Sequence, residues 1–120
     1  PLSVLTAWNV MRDRRDLETD ADGWLWLDRR RTPRFRLDDK HFVIAAEREG
    51  KPVNWVSCAD IDKVGDEGDT VFWASPGTPL RTVMLAIHRS QTSPVALFDG
   101  TTRFVGVIGV RDVLHAILRR

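Results

Sequence analysis

The chain has 120 residues, of which 42% are hydrophobic and 29% are charged, a composition typical of a folded globular domain. Its 18 Lys and Arg residues nearly balance 17 Asp and Glu residues, so the net charge of +1 excludes any overall attraction to nucleic acid or acidic lipid. The single cysteine, Cys58, excludes an intramolecular disulfide and a cysteine metal cluster, and no apolar run is long enough to cross a bilayer. The chain opens at Pro1 without a methionine and without a recognisable signal peptide, and we therefore expect a piece of a longer protein.

The first residues predict a helix, a strand and an irregular region. The segment VLTAWNVMRD (4–13) has apolar residues at helical spacing and predicts a helix. GWLWL (23–27) predicts a strand. The segment 29–39 is rich in arginine, contains Pro33 and has no 3.6-residue period, so we expect a helix there to be short, distorted or absent.

The second half reads as strand, helix, strand, strand, helix. DTVFWAS (69–75) predicts a strand, and the helix that follows is expected to begin with Thr78 as N-cap and Pro79 at the first helical position. The apolar residues expected on the buried face of that helix are Leu80, Val83, Met84 and Ile87. The tail RDVLHAILRR (111–120) predicts a second amphipathic helix.

An internal repeat links the two halves. KPVNWVSCADIDKV (51–64) aligns with the tail when the sequence is shifted by 52 residues, and this register places Asp60 on Asp112. Upstream, FVIAA (42–46) falls on PVALF (94–98) in the same register. Each copy then reads as apolar strand, polar turn, second apolar strand and short helix. The turns, EREGKP (47–52) and DGTTR (99–103), carry the glycine and polar residues of hairpins.

Two such units resemble a tandem pair of CBS domains, also called a Bateman module. The resemblance is carried by KPVNWVSCADI (51–61), GTPLRTVMLAIHRSQTSPVALFD (77–99) and RFVGVIGVRDVL (103–114). It implies an α/β (α+β) fold of two βαββα repeats in a pseudo-twofold pair, with a degenerate first repeat and leading helix at 1–66 and a second repeat at 67–120. The leading VLTAWNVMRD, followed by a degenerate and then a good repeat, is further similar to the C-terminal region of the ATP-binding subunit of glycine betaine/proline ABC transporters.

The family resemblance also implies a ligand site at the strand-to-helix junctions. In CBS pairs a Ser or Thr hydroxyl there contacts a ligand phosphate, and the Asp three residues later binds the ribose hydroxyls of an adenine nucleotide. The matching positions are Ser57 and Asp60 in the first repeat and Gly109 and Asp112 in the second, so one site around Ser57 is favoured over two. The apolar residues expected at the base are Val71, Phe72, Pro94 and Val95. AMP, ATP, cyclic di-AMP and S-adenosylmethionine all remain open as ligands.

The same residues have a purely structural interpretation. A carboxylate such as Asp60 or Asp112 is favourable in the first turn of any helix, and Ser57 is a suitable helix cap. The alternative function is therefore a structural dimerisation module without a ligand. Leu114 and Leu118 are candidates for the contact between two copies, or equally for the core.

One dense basic stretch, DRRRTPRFR (28–36), follows Trp24 and Trp26. Its arginines, as candidate contacts to an anionic membrane surface, are Arg29, Arg30, Arg31, Arg34 and Arg36. Such binding weakens as salt screens the charges. Single-stranded nucleic acid is a weaker alternative, and a solvated face paired with acids such as Asp38 and Asp39 is the ordinary explanation.

Catalytic and metal-binding motifs are not evident. The three histidines do not combine with other ligand residues at metal-site spacing, and the acidic turns do not match a calcium loop. There is no phosphate-binding loop, so the chain is not expected to be an enzyme.

The sequence predicts a regulatory, homodimeric module that senses an adenine nucleotide or ionic strength, attached to the ATPase domain of a compatible-solute importer and its membrane subunits. That places it in the cytoplasm at the inner face of the membrane.

Overall fold

The computed structural model describes residues 5–27, 33–63, 70–90, 93–100 and 103–119. Within these residues two β-sheets pack face to face, and helices cover the other face of the larger sheet. The mixed architecture confirms the expected α+β fold class.

The elements alternate irregularly along the chain. The helices are α1 (Ala7–Val10), α2 (Leu80–Arg89) and α3 (Val110–Leu118), with 3₁₀ segments at Arg14–Asp16 and Cys58–Lys63. The strands are β1 (Arg12–Asp13), β2 (Trp24–Trp26), β3 (Arg34–Leu37), β4 (Val43–Arg48), β5 (Lys51–Pro52), β6 (Asn54–Ser57), β7 (Thr70–Ala74), β8 (Val95–Asp99) and β9 (Arg103–Ile108). None of the described helices is long and apolar enough to span a bilayer.

The larger sheet has the strand order β1-β9-β8-β7-β6. Strands β6, β7 and β8 run parallel, β9 returns antiparallel beside β8, and β1 adds an antiparallel edge strand to β9. A parallel neighbour requires a crossover, which α2 provides between β7 and β8. The predicted strand 69–75 and helix of the second half therefore form one βαβ unit.

The smaller sheet is antiparallel, in the order β2-β3-β4-β5. Its last hairpin turns at Glu49 and Gly50, whose φ angles of 53° and 80° match the turn that the twist of antiparallel strands favours. This confirms the turn predicted at 47–52. The strand after the turn is only two residues long, and the chain then crosses at Val53 into β6 of the larger sheet.

One prediction for the first half is corrected by the structure, and a second, that a helix at 29–39 would be short, distorted or absent, holds for the described residues. The helix predicted over 4–13 is limited to α1, because the chain becomes extended at Met11 and enters β1, whose backbone pairs with the edge of β9. In the segment 29–39, the described residues form β3 in place of a helix, as the missing helical period allows. The remainder of this segment, 29–32, lies outside the described residues. A strand thus stands between β2 and β4 where α2 stands between β7 and β8, so the two halves differ in element order.

The helix of the second half begins one residue later than predicted. Pro79 takes the N-cap position, with φ −57° and ψ 138°, and Leu80 is the first helical residue. The expected face is buried at Leu80, Val83 and Ile87, while Met84 is half-buried against the same core. The amphipathic pattern was therefore sufficient to orient this helix on the sheet.

Side chains of the larger sheet alternate between two cores. On β7, Val71 faces the smaller sheet and Phe72 faces the helices. The core between the sheets is aromatic: Phe35 stacks on Trp55 with ring centroids 4.6 Å apart and contacts Phe104 at 5.6 Å. The other core, beneath α2 and α3, is mostly aliphatic and includes Phe72. Both strand-to-helix junctions of interest start from this central sheet.

Candidate functional site

The two predicted half-sites lie far apart in the larger sheet. Ser57 ends β6 and Gly109 follows β9, and β7 and β8 lie between these strands. Three spacings between neighbouring strands amount to about 14 Å. Because β9 runs antiparallel to β6, the chain leaves the two junctions in opposite directions, although the strand register places Ser57 level with Val107, two residues before Gly109. The structure therefore does not bring Ser57 and Asp60 together with Gly109 and Asp112.

The first junction is a locally satisfied turn. The Ser57 hydroxyl oxygen accepts a hydrogen bond from the Ala59 backbone N–H at 3.2 Å. Asp60 sits at a kink between two 3₁₀ turns, and its carboxylate lies 3.3 Å from the Lys63 ammonium. That ion pair is exposed, with 50% and 81% of the two side chains accessible, and such pairs contribute little to stability. The arrangement is that of a capped turn, and a ligand contact of Ser57 and Asp60 stays a prediction.

The second junction concentrates more interactions on one carboxylate. Asp112 is the third residue of α3, and its Oδ2 accepts the Gly109 backbone N–H at 2.7 Å. Gly109 has no side chain to cap the helix, so Asp112 itself ties the helix start together. The Arg12 Nε lies 2.9 Å from Oδ1 and 3.2 Å from Oδ2. Only 10% of the Asp112 side chain is exposed, so this carboxylate is partly removed from water and paired with a cation.

Arg12 reaches Asp112 because β1 adds to the edge of β9. Arg12 pairs with Val107 and Asp13 with Gly106 in this short ladder. The approach requires a glycine, since a Cβ on Gly106 would lie 2.4 Å from the Arg12 carbonyl oxygen. The Arg12 Nη2 lies 3.9 Å from the place where a Cβ of Gly109 would stand. The guanidinium thus fills space beside the position where the family resemblance implies a hydroxyl.

A cleft of about 360 Å³ opens beside Asp112, between α1 and α3. Leu5, Val10 and Ala116 supply apolar lining. Asn9, His115 and Arg119 supply polar and cationic groups. A second cleft of about 320 Å³ lies on the Arg12 side and includes Arg111, Asp16 and Glu18. Asp112, one of the predicted site residues, lines the first of these two clefts.

The four predicted base contacts are fully buried. Val71 lies in the core between the sheets, whereas Phe72 and Val95 lie in the core under the helices, and Pro94 is buried beside Gly109. Val71 therefore lies on the opposite face of the larger sheet from Phe72 and Val95. A ligand would reach Val71 only if the two sheets separated, so contact with a base stays a prediction for this set.

Cys58 is buried in the core under the helices, as the sequence predicted for this thiol. Burial raises its pKa to about 12, so the group stays neutral at physiological pH. In the described part of the chain, no three His, Cys, Asp or Glu side chains are grouped so that they would hold a metal ion.

Within the described part of the basic stretch, Arg34 is paired inside the smaller sheet. The Arg34 guanidinium lies 4.5 Å from the Trp24 ring centroid and 5.1 Å from that of Trp26. It forms ion pairs with Glu47 and Asp20, not with the predicted Asp38.

Two acids of this region contact backbone N–H groups, and its other described arginine is exposed. Asp38 accepts the backbone N–H groups of Lys40 and Phe42 within its own loop. A hydrogen bond from the Trp24 backbone N–H lowers the pKa of Asp20. Arg36 is exposed, while Arg29, Arg30 and Arg31 lie outside the described residues.

Sequence reasoning missed Arg12. It stands in a segment predicted to be helical, and its partner is 100 residues away in the chain. No local pattern signals such a pair. The close spacing of Gly106 and Gly109 was the one feature of the sequence consistent with another strand packing closely against β9.

The comparison with family models finds a CBS domain at residues 69–119. The matched region comprises β7, α2, β8, β9 and α3, and it contains Gly109 and Asp112. CBS domains are regulatory modules in general. No curated protein matches the chain.

Proposed function

We propose that the chain is a regulatory module of a larger protein and that it acts as a dimer, in which α3 packs on α3 of a second copy. The observation that carries this proposal is the apolar outer face of α3. The exposed fractions are 38% for Val110, 48% for Leu114, 40% for Ile117 and 79% for Leu118. A stripe of this kind on a domain surface is typical of an interface.

The spacing of these residues supports a helix-to-helix contact. They stand at i, i+4, i+7 and i+8, which is one face of a helix, while Val113 faces inward. In a twofold dimer each residue of the stripe is buried twice, once in each copy. Fully burying one aliphatic side chain contributes about 1.5–3 kcal/mol, so a short helix suffices as the centre of an interface.

Replacing Leu114 and Leu118 together by Glu tests the dimer. Both side chains are exposed, so the fold should survive while the paired state is lost to charge repulsion and desolvation. Light scattering after gel filtration should then give the 13.7 kDa of one chain, against about twice that mass for the wild type.

Ile44→Glu is the matched control, because Ile44 is 62% exposed but lies on β4 of the smaller sheet. This variant should remain dimeric. A monomeric wild type, or equal dissociation of both variants, would contradict the α3 interface.

A second candidate function is the sensing of an adenine nucleotide or a related ligand. It is favoured by the cleft beside Asp112, whose volume of about 360 Å³ falls within the range of small-molecule sites. Asp112 would accept the ribose hydroxyls, and Arg119 would offer a cation to a phosphate. AMP, ATP, cyclic di-AMP and S-adenosylmethionine are the candidates.

Thermal unfolding with each of these ligands tests the sensor. A ligand at 100 times its Kd stabilises the folded state by about 2.7 kcal/mol, a shift of several degrees in Tm. Loss of the shift in Asp112→Ala, with the shift kept in Asp60→Ala, would locate the ligand in the cleft. The reverse pattern would locate it at Ser57 and Asp60. No shift with any ligand would leave the dimerisation module as the function.

The larger protein that we propose is the ATP-binding subunit of a glycine betaine/proline importer. Support comes from the resemblance of residues 4–13 and the repeats behind them, together with the CBS domain at 69–119. In that setting the module is not itself an enzyme. It would lie in the cytoplasm at the inner membrane face, next to the ATPase domain and the membrane subunits, and its arginines 29–31 and 36 would contact anionic lipid.

A further inference from the structure

We propose that Arg12 is a latch: by occupying Asp112 it holds the leading segment, residues 5–13, on the C-terminal half, and a ligand that takes Asp112 releases that segment. The latch follows from the contacts of the two residues, whereas the release step rests on the ligand site proposed above.

The leading segment is attached to the C-terminal half at two places. At one end, the Ala7 N–H donates to the Thr78 carbonyl at 2.8 Å and the Trp8 N–H donates to the Pro76 carbonyl at 2.9 Å. The Leu80 N–H also donates to the Leu5 carbonyl at 2.9 Å. At the other end, β1 pairs with β9 over only two residues. A two-residue strand forms too few backbone hydrogen bonds to hold an edge by itself.

Few apolar contacts add to these bonds. Ala7 is the one described residue of the segment that is fully buried, and it is small. Leu5, Val10 and Met11 are half-buried, and Trp8 is 62% exposed. Because segments with little buried surface open at low cost, a single ion pair has a large influence on docking here.

The Arg12–Asp112 pair is placed to provide that influence. The carboxylate is held by the Gly109 N–H whether or not Arg12 is present, so its position does not depend on the latch. The Arg12 Nε contacts both carboxylate oxygens, and a charge-assisted contact of this kind is stronger than a neutral hydrogen bond. Closing the pair therefore fixes the end of β1 against the start of α3.

The same geometry makes Arg12 and a ribose compete. With 10% of its side chain exposed, Asp112 presents a small accessible edge, and Arg12 covers part of it. Two hydroxyl donors of a ligand would need the oxygens that Arg12 and Gly109 now use. A bound ligand thus shifts the population toward the undocked segment by as much as it prefers the free carboxylate.

Hydrogen–deuterium exchange of the 120-residue chain tests the latch. Arg12→Gln keeps most of the side chain's size and removes its charge, and we expect roughly tenfold faster exchange across residues 5–13, with β3 and β4 unchanged. Arg12→Lys should restore part of the protection.

Arg15→Gln is the matched control, since Arg15 pairs with Asp13 next to the same strand but with 84% of its side chain exposed. It should leave the exchange at the wild-type rate. If Arg12→Gln also exchanges at the wild-type rate, the latch is wrong.

AMP serves as the probe for the release step. We expect AMP to speed exchange of residues 5–13 in the wild type, and Arg12→Gln to bind AMP roughly tenfold more tightly because no competitor must leave. AMP that binds without changing the exchange would overturn release. No AMP binding by either protein would refute release by AMP and remove AMP from the candidate ligands, while the exchange of the variants without ligand would still decide the latch.

Discussion

Cys58 follows β6 directly and lies among aliphatic side chains under α2. A thiol in such surroundings is disfavoured as a thiolate, which raises its pKa from 9.0 to about 12. The group therefore acts as a small apolar residue, not as a nucleophile. Ionisation of this thiol therefore changes the free energy of unfolding only in alkaline solution.

Alkaline unfolding should report this burial. The unfolded thiol ionises near pH 9 and the folded thiol near 12, so the stabilising contribution is complete below pH 9 and is lost as pH rises toward 12. We expect the wild type to lose about 1.4 kcal/mol of unfolding free energy per pH unit in that window beyond the loss shown by Cys58→Ala. Urea titrations between pH 7 and 11 measure the difference. Parallel curves for the two proteins would contradict a buried thiol.

At the scale of elements, pairing with a sheet edge determined secondary structure and strand order that local propensity alone does not determine. The segment 4–13 has a helical pattern, yet only Ala7–Val10 is helical, because β1 gains backbone partners on β9. Likewise the strand after the Glu49–Gly50 turn leaves its hairpin after two residues and continues as β6 beside β7. The close approach at Gly106 makes the first of these choices sterically possible.

Gly106→Ala should weaken the docking of β1. The added Cβ would lie 2.4 Å from the Arg12 carbonyl oxygen and 3.2 Å from the Met11 sulfur, and the backbone atom can move only if β1 shifts. We expect a loss of roughly 1–3 kcal/mol in unfolding free energy, measured by urea denaturation.

Gly77→Ala is the control for that substitution, because no atom lies within 4 Å of its added Cβ. It should change stability by less than about 0.5 kcal/mol. Equal stability of both variants would argue against the β1–β9 contact.

At the scale of the whole molecule, the aromatic core joins the two sheets. Phe35 belongs to the smaller sheet and is 0% exposed, whereas Trp55 and Phe104, which it contacts, belong to the larger one. In the described residues no continuous ladder joins the two sheets, although the Phe104 N–H donates to the His41 carbonyl at 2.9 Å. Side-chain packing is thus the main connection between the two sheets.

Phe35→Ala should therefore destabilise the entire chain. Removing a buried phenyl ring costs about 3–5 kcal/mol, and the loss should appear in fluorescence and circular dichroism at one common midpoint. Ile44→Ala, at a residue that is 62% exposed on the same sheet, should change stability by less than about 0.5 kcal/mol. Two separate unfolding transitions in the wild type would show that the two sheets fold independently.

The sequence by itself determined the features that repeat over short distances: the α+β class, the hairpin turn at Glu49–Gly50, the buried face of α2, and the resemblance that the CBS domain at 69–119 bears out for the second half. Local periodicity and turn chemistry carry that information. The tertiary structure alone decided the place of β1 and β6 in the larger sheet and the pairing of Arg12 with Asp112. These depend on which groups meet across as many as 100 residues, and a non-local partner leaves no periodic trace in the chain.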